Sequence, residues 1–234
     1  MDQVLAVDIG GTKSAVALVD REGTVHARDE VPTAGTDGED LFANLVGLAE
    51  RVRGDVPVVA CGVGCGGPMG PGGELVSPLN ITQWRDFPLR ERLRSSLGIP
   101  VHVDNDAKAL ALGEGWRGAA RGEADYLAMV VSTGVGGGVV LDGRLLDGAS
   151  GNAGHIGHVN AVPDGRRCAC GAHGCLEAEA SGTAIAAVTG MSPREASLEV
   201  RRRTGTLVGR AVGSIASLLD LQLACVAGSV ALGF

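Results

Sequence analysis

"VLAVDIGGTKSAVALVDREG" (residues 4–23) and "YLAMVVSTGVGGGVVLDGRL" (residues 126–145) carry the same succession of signals. Each opens with a short apolar run, meets a glycine-bearing turn, resumes as an apolar run and turns again toward a third strand. This is a weak internal repeat. It predicts an α/β chain of two related halves, each a mixed sheet with helices. The intervening sequence supplies the other elements. Residues 38–52 place Leu41, Leu45, Leu48 and Val52 on one helical stripe. Residues 56–64 read as a buried strand, 87–100 as an amphipathic helix ended by Gly98 and Pro100, 101–106 as a strand and 107–116 as a helix. After the second repeat come helices over 177–190 and 205–219, then an apolar strand over 223–232 that runs into a loop. The boundary falls near residue 107, giving domains 1–106 and 107–234. A cleft between such halves is the default place for a ligand.

Composition narrows the function classes. With 234 residues and 45% hydrophobic content the chain can bury a substantial core. Only 3% is aromatic, so that core rests on Ala, Val, Leu and Ile. The 38 glycines are clustered, which reads as backbone approaching a ligand or turning tightly rather than as disorder. A net charge of −7 argues against a nucleic-acid partner, and the basic cluster at 201–203 reads as a solvated helix face. No run of 18 apolar residues and no charged-then-apolar leader occurs, so no membrane partner is expected and a cytoplasmic location is.

Of six cysteines, Cys61, Cys65 and Cys225 lie in or beside apolar runs and read as small buried hydrophobes. Cys168, Cys170 and Cys175 crowd into "HVNAVPDGRRCACGAHGCLE" (158–177). With His158 they offer one imidazole and three thiolates, a closed tetrahedral set for structural zinc. The alternative is three free thiols in a glycine-rich loop.

The two glycine turns invite phosphate. "DIGGTKS" (8–14) is not a P-loop, because Thr12 separates Gly11 from Lys13 and a strand follows instead of a helix. It is a hairpin whose glycine amides can approach a phosphate, with Asp8 near a magnesium ion; an ordinary Gly-Gly turn explains it as well. "STGVGGG" (132–138) reads as a second glycine loop, with the Thr133 hydroxyl and the Gly134 amide suited to a phosphate nest. Asp104, Asn105 and Asp106 stand where a strand meets a helix. One suffices as a helix cap; an ionised Asp there can instead take a proton from a sugar hydroxyl. These residues alone do not rank cap against base.

Taken together, these motifs resemble the ROK family of bacterial sugar kinases and related repressors, over residues 4–229. "DIGGTK" is similar to the family's first phosphate loop, "STGVGGG" to its second, "NDA" (105–107) to the segment with the catalytic Asp, "GHIGH…CACGAHGCLE" to its zinc and sugar signature, and "VAGSV" (226–230) to the adenosine-side strand and loop. The resemblance implies an actin-like, ribonuclease H-like two-domain fold. It implies ATP-dependent phosphorylation of the 6-hydroxyl of a hexose, with Asp106 as general base. Sugar contacts would come from Gly67, Asn80, Asn105, Asp106, His155, His158 and Glu177. ATP and Mg2+ would be held by Asp8, Gly10, Gly11, Thr12, Lys13, Thr133, Gly134 and Gly228. Structural Zn2+ would sit on His158, Cys168, Cys170 and Cys175, with His158 bridging sugar and metal. A homo-oligomer is implied too.

Three departures matter. His155 replaces a glutamate common in the family's glucokinases, and "GHIGH" (154–158) resembles its N-acetylmannosamine kinases instead. Lys108 stands where an Asn is common. The chain also stops at "SVALGF", where the family continues, so a short C-terminus, an uncovered last strand and weaker hold on ATP than on sugar are expected. The rivals are an N-acetylmannosamine kinase, a sugar-binding fragment without kinase activity, and a sugar-responsive repressor. Repressors of the family carry a helix-turn-helix segment before the first phosphate loop, and only seven residues precede Asp8.

Overall fold

The computed structural model describes residues 2–33 and 37–233, so Met1 and Phe234, the ends of the two expected domains, lie outside the described residues. The chain divides into two compact units. The first is Met1–Asp106 with Gly148–Asn152, the second Ala107–Asp147 with Ala153–Phe234.

In the first unit, β1 (Gln3–Ile9), β2 (Lys13–Asp20) and β3 (Val25–Pro32) form an antiparallel meander. Then β4 (Val58–Cys65) pairs parallel to β1, and β5 (Val101–Asn105) parallel to β4, giving the order β3-β2-β1-β4-β5. Helix α1 (Gly38–Arg53) starts where the Asp37 carboxylate accepts from the Glu39 N–H, with Glu39 and Asp40 at its positive end and Arg51 and Arg53 at its negative end. Its stripe of Leu41, Phe42, Leu45, Leu48 and Val52 is buried. Helix α2 (Leu89–Leu97) buries Leu89, Leu93 and Leu97 and stops at Gly98, whose φ of 67° only glycine adopts cheaply. One apolar cluster joins both helices to the sheet, with Trp84 fully buried and stacked on Phe87.

The second unit repeats the pattern. β6 (Tyr126–Val131), β7 (Val135–Leu141) and β8 (Arg144–Leu145) are an antiparallel meander, and β9 (Leu223–Ala227) pairs parallel to β6, in the order β8-β7-β6-β9. The α-helices α3 (Asp106–Arg117), α4 (Leu176–Ala180), α5 (Gly182–Thr189) and α6 (Leu198–Leu219) are joined by short 3-10 turns such as Ile156–His158.

Several expectations need correction. The glycines 136–138 are not a loop: they lie inside β7, and the turn is only residues 132–134. A Cβ on Gly136 would stand 2.8 Å from the Ala107 Cβ, one on Gly138 2.8 Å from the Ala111 Cβ and 2.9 Å from the Lys108 Cα, and one on Gly137 2.8 Å from the Ile156 side chain. The glycines therefore let α3 press on one face of the strand and the Ile156 segment on the other. The helix expected over 177–190 is broken. Ser181 is extended (φ −71°, ψ 162°), and its hydroxyl caps α5 by accepting from the Ala184 N–H. Helix α6 begins at Leu198 rather than 205, because Ser197 caps it through the Val200 N–H.

The basic cluster at 201–203 is not a simple solvated face. Arg203 donates to the backbone oxygen of Glu179 at 3.1 Å and to its carboxylate at 2.5 Å, and Arg201 to the carbonyls of Ala196 and Arg194. Cys61 and Cys65 are buried as expected, but Cys225 is only half-buried. It lies on β9, the last strand in its sheet's order. That strand was expected to be left uncovered; it is half-buried, with Val226 37% exposed.

Candidate functional site

The candidate residues of the first unit gather at one end of its parallel strands. Register places Ile9 of β1 beside Cys65 of β4, and Cys65 beside Asn105 of β5. All three strands end in that row. Asp8 stands one residue before it and Asp106 one residue after it, at the start of α3. The carboxyl ends of parallel strands are where α/β sheets open to ligands. Asn105 is buried and Asp106 exposed. Burial, and after it the charge of Asp106, push the Asp8 carboxyl above its usual value, while Arg28 and Lys13 pull it down. The Cys65 thiol beneath them is pushed up to about 12, first by burial and then by Asp106 and Asp8.

The first glycine turn closes through the Gly10 N–H donating to the Lys13 carbonyl at 3.0 Å. A Cβ on Gly11 would lie 2.5 Å from the Asn80 Cβ, so only glycine lets the turn rest on Asn80. Thr12 is exposed, and its carbonyl accepts from the Thr33 N–H. The Lys13 ammonium pairs with Glu30 at 2.8 Å on the exposed side of the β2–β3 pair. Gly67 precedes a cis proline, Pro68, and its carbonyl accepts from the Leu79 N–H next to Asn80.

In the second unit, His158, Cys168, Cys170 and Cys175 bring one ligand atom each to within 4.8 Å of one another. The His158 Nδ1 is 3.7 Å from the Cys168 sulfur, and the Cys170 and Cys175 sulfurs are 3.6 Å apart. Zn–S bonds of about 2.3 Å in a tetrahedron give edges of about 3.8 Å, so these four donors are compatible with zinc. The Ala172 N–H, and then Cys168, hold the Cys170 thiol below its ordinary value, while burial, and then Cys170 and Cys168, push the Cys175 thiol up to about 12. Because His158 turns Nδ1 to the sulfurs, its Nε2 is left for another task. His155 lies 6.0 Å from His158, ring to ring.

Two residues after Cys175, Glu177 accepts from the Val135 N–H at 2.9 Å. That bond ties the cysteine cluster to the second glycine turn, residues 132–134. Gly228, at φ 104°, packs so tightly against the Val131 backbone that a side chain has no room. It brings Ser229 beside Ser132, hydroxyl to hydroxyl at 2.9 Å, so Thr133, Gly134 and Gly228 share one corner.

Two supporting groups escaped the sequence reading. Glu179 is buried; burial would raise its carboxyl, yet the Arg166 N–H and the Arg203 side chain outweigh that and hold it below its usual value. The signal was available: a carboxylate in the small apolar stretch "CLEAEASG" needs a cationic partner. Lys108, 1% exposed, pairs with Asp147 at 2.7 Å. A lysine two residues into a helix gave no sign of being buried.

A sequence model described as the ROK family matches residues 4–232. The chain belongs to the ROK family. Among relatives of this ROK chain, the glucokinase of Halalkalibacterium halodurans is 40% identical, over 79% of this chain and 58% of that protein. The glucokinase of Streptomyces coelicolor is 37% identical over the same shares. The chain thus spans less than two thirds of the length of these relatives. The N-acetylmannosamine kinase of Citrobacter koseri is 37% identical, over 97% of this chain and 83% of that protein. Among solved structures, a ROK hexokinase from Thermus thermophilus is 36% identical with a TM-score of 0.86, covering 98% of this chain and 83% of that one. A ROK family glucokinase from Streptomyces griseus, solved with glucose and AMPPNP, is 30% identical with a TM-score of 0.86, covering 99% and 84%. The fold is therefore the actin-like α/β fold of ROK kinases, with a mixed sheet in each unit. Among the described residues no helix is long and apolar enough to cross a membrane.

Proposed function

We propose that this ROK chain phosphorylates the 6-hydroxyl of a hexose with ATP, a reading supported by relatives named glucokinase. The observation that carries this is the row at the ends of β1, β4 and β5, where Asp8, Asn105 and Asp106 adjoin a glycine turn that tolerates no side chain at Gly11. We assign Asp106 as the general base: exposed and at a helix start beside the strand-end row, it is placed to take the hydroxyl proton. Asn105, Gly67 and Asn80 of the first unit, and His155, His158 and Glu177 of the second, hold sugar hydroxyls. Asp8 holds Mg2+, which neutralises developing phosphoryl charge when bound. Gly10, Gly11, Thr12 and Lys13 face the phosphates in the first unit, Thr133, Gly134 and Gly228 the nucleotide in the second. Zinc on His158 and the three cysteines is structural, since four protein ligands leave no open position. The cellular setting is the cytoplasm and the assembly a homo-oligomer, which sedimentation would test.

A coupled assay over hexoses and N-acylated hexosamines tests the reading. Magnesium- and ATP-dependent turnover of glucose is expected. Turnover of no sugar in the panel would overturn it and, if glucose still binds, leave a sugar-binding chain without kinase activity. Metal analysis of freshly purified, reduced protein should give about one zinc per chain; no zinc would remove that assignment.

A second reading is an N-acetylmannosamine kinase. It is favoured by His155, which can donate as well as accept where a carboxylate only accepts, and by a relative of that name matching 97% of this chain. Preference for N-acetylmannosamine over glucose in the same panel would select it.

A further inference from the structure

The second glycine turn is held by its carbonyls. The Ser132 oxygen accepts from the Gly182 N–H at 2.7 Å. The Thr133 oxygen accepts twice from Thr183, from its N–H at 3.2 Å and its hydroxyl at 2.9 Å. Gly182 and Thr183 open α5, directly after the break at Ser181. A trans peptide points its C=O and N–H in opposite directions. The peptides 132–133 and 133–134 both aim their oxygens at the start of α5. Their N–H groups, those of Thr133 and Gly134, must therefore point away from it, side by side. Neither donates a hydrogen bond within the described residues. The next N–H, of Val135, is taken by Glu177. Two successive amides aimed outward, with their oxygens locked behind them, form a nest for an anionic oxygen.

We infer that Thr183 is a positioning residue for the donor phosphates: it fixes the Thr133 peptide so that the Thr133 and Gly134 amides are presented to a phosphoryl oxygen. This rests on the kinase reading above and deepens it. Glu177 braces the other end of the same turn, which links the cysteine cluster to the donor side as well as to the sugar. Without the Thr183 hydroxyl the peptide keeps one of its two restraints and can rotate, scattering the amide directions.

The test is calorimetric titration of Mg-ATP and of glucose on wild type, Thr183→Val and Thr183→Ser. Valine keeps the branched shape and the backbone bond and loses only the hydroxyl. Thr183→Val should weaken ATP binding by roughly 3- to 10-fold, the scale of one net hydrogen bond. Glucose affinity should stay within about twofold on the same scale, and serine should restore ATP affinity. A merely structural role would lower the melting temperature and move both ligands together. Equal ATP affinity in wild type and Thr183→Val overturns this inference alone. A wild type that binds no Mg-ATP overturns the kinase reading and the inference with it.

Discussion

The β1–β2 and β6–β7 hairpins occupy equivalent places in their sheets, yet they reach the same shape from different residues. Register aligns Asp8, Val7 and Ala6, paired with Ala15, Val16 and Ala17, with Val130, Met129 and Ala128, paired with Gly136, Gly137 and Gly138. One strand carries side chains where the other carries three glycines. The difference lies in what packs on them. Around β7 a helix backbone and the Ile156 segment come so close that a Cβ has no room, while β2 buries Val16 in an ordinary apolar cluster. The turns differ as well. Gly11 rests on Asn80 in the first, whereas the second is clasped through its carbonyls by α5 and through an amide by Glu177. A glycine run beside a glycine turn thus need not be there for a ligand.

The largest test of the asymmetry is chemical. The first unit supplies both acids of the strand-end row, and Val130 takes the place of Asp8 in the second. Asp106→Asn should lower kcat by at least about 10², the low end for loss of a general base, while leaving sugar affinity and melting temperature near wild type. Asparagine caps a helix as well as aspartate does, so near-normal turnover would return Asp106 to a capping role.

Next come reciprocal exchanges at one register position. Gly138→Ala should cost about 1–3 kcal/mol, since the new methyl meets the α3 backbone at Lys108, which cannot swing aside. Ala17→Gly, at the matching place in β2, should cost only roughly 0.5–1 kcal/mol, the backbone entropy of a strand glycine. Denaturant unfolding of both variants checks the pair. Equal and small losses would mean that α3 can retreat, and the packing account of the glycine run would fall.

The same comparison shows how much was legible. The repeat, the alternation of strands and helices and the stop at Gly98 were visible because periodicity and breakers are local. The cysteine cluster was visible because its ligands are close in sequence. What stayed hidden depended on partners distant in the chain. Nothing near 136–138 announces that residues 107–111 will press on it, so the glycines read as loop. Ser181 and Ser197 are ordinary serines until their hydroxyls are seen to cap α5 and α6. The 201–203 arginines read as solvated because Glu179, which binds Arg203, lies 24 residues away.

The smallest expected effect concerns Asp8, the acid that has no counterpart in the second hairpin. Its carboxyl is raised above the ordinary 3.8 by burial and then by Asp106, against the weaker pull of Arg28 and Lys13. The native state therefore keeps this proton to a higher pH than the unfolded chain does. As pH rises from 3.8 through the raised native value, the unfolded chain ionises first and unfolding is favoured. Above that value the ionised group costs stability throughout. Asp8→Asn removes the cost, so the variant should melt slightly higher than wild type at neutral pH, with the gap closing as pH falls toward 3.8. Magnesium-dependent turnover should fall at the same time, because the amide carries no charge for the ion. Thermal melts from acid to neutral pH, with turnover measured on the same samples, decide the matter. A variant that melts lower at neutral pH, or by a margin that ignores pH, would show that Asp8 stabilises its hairpin as Val130 does. Its carboxylate would then have no stability cost to set against a functional gain.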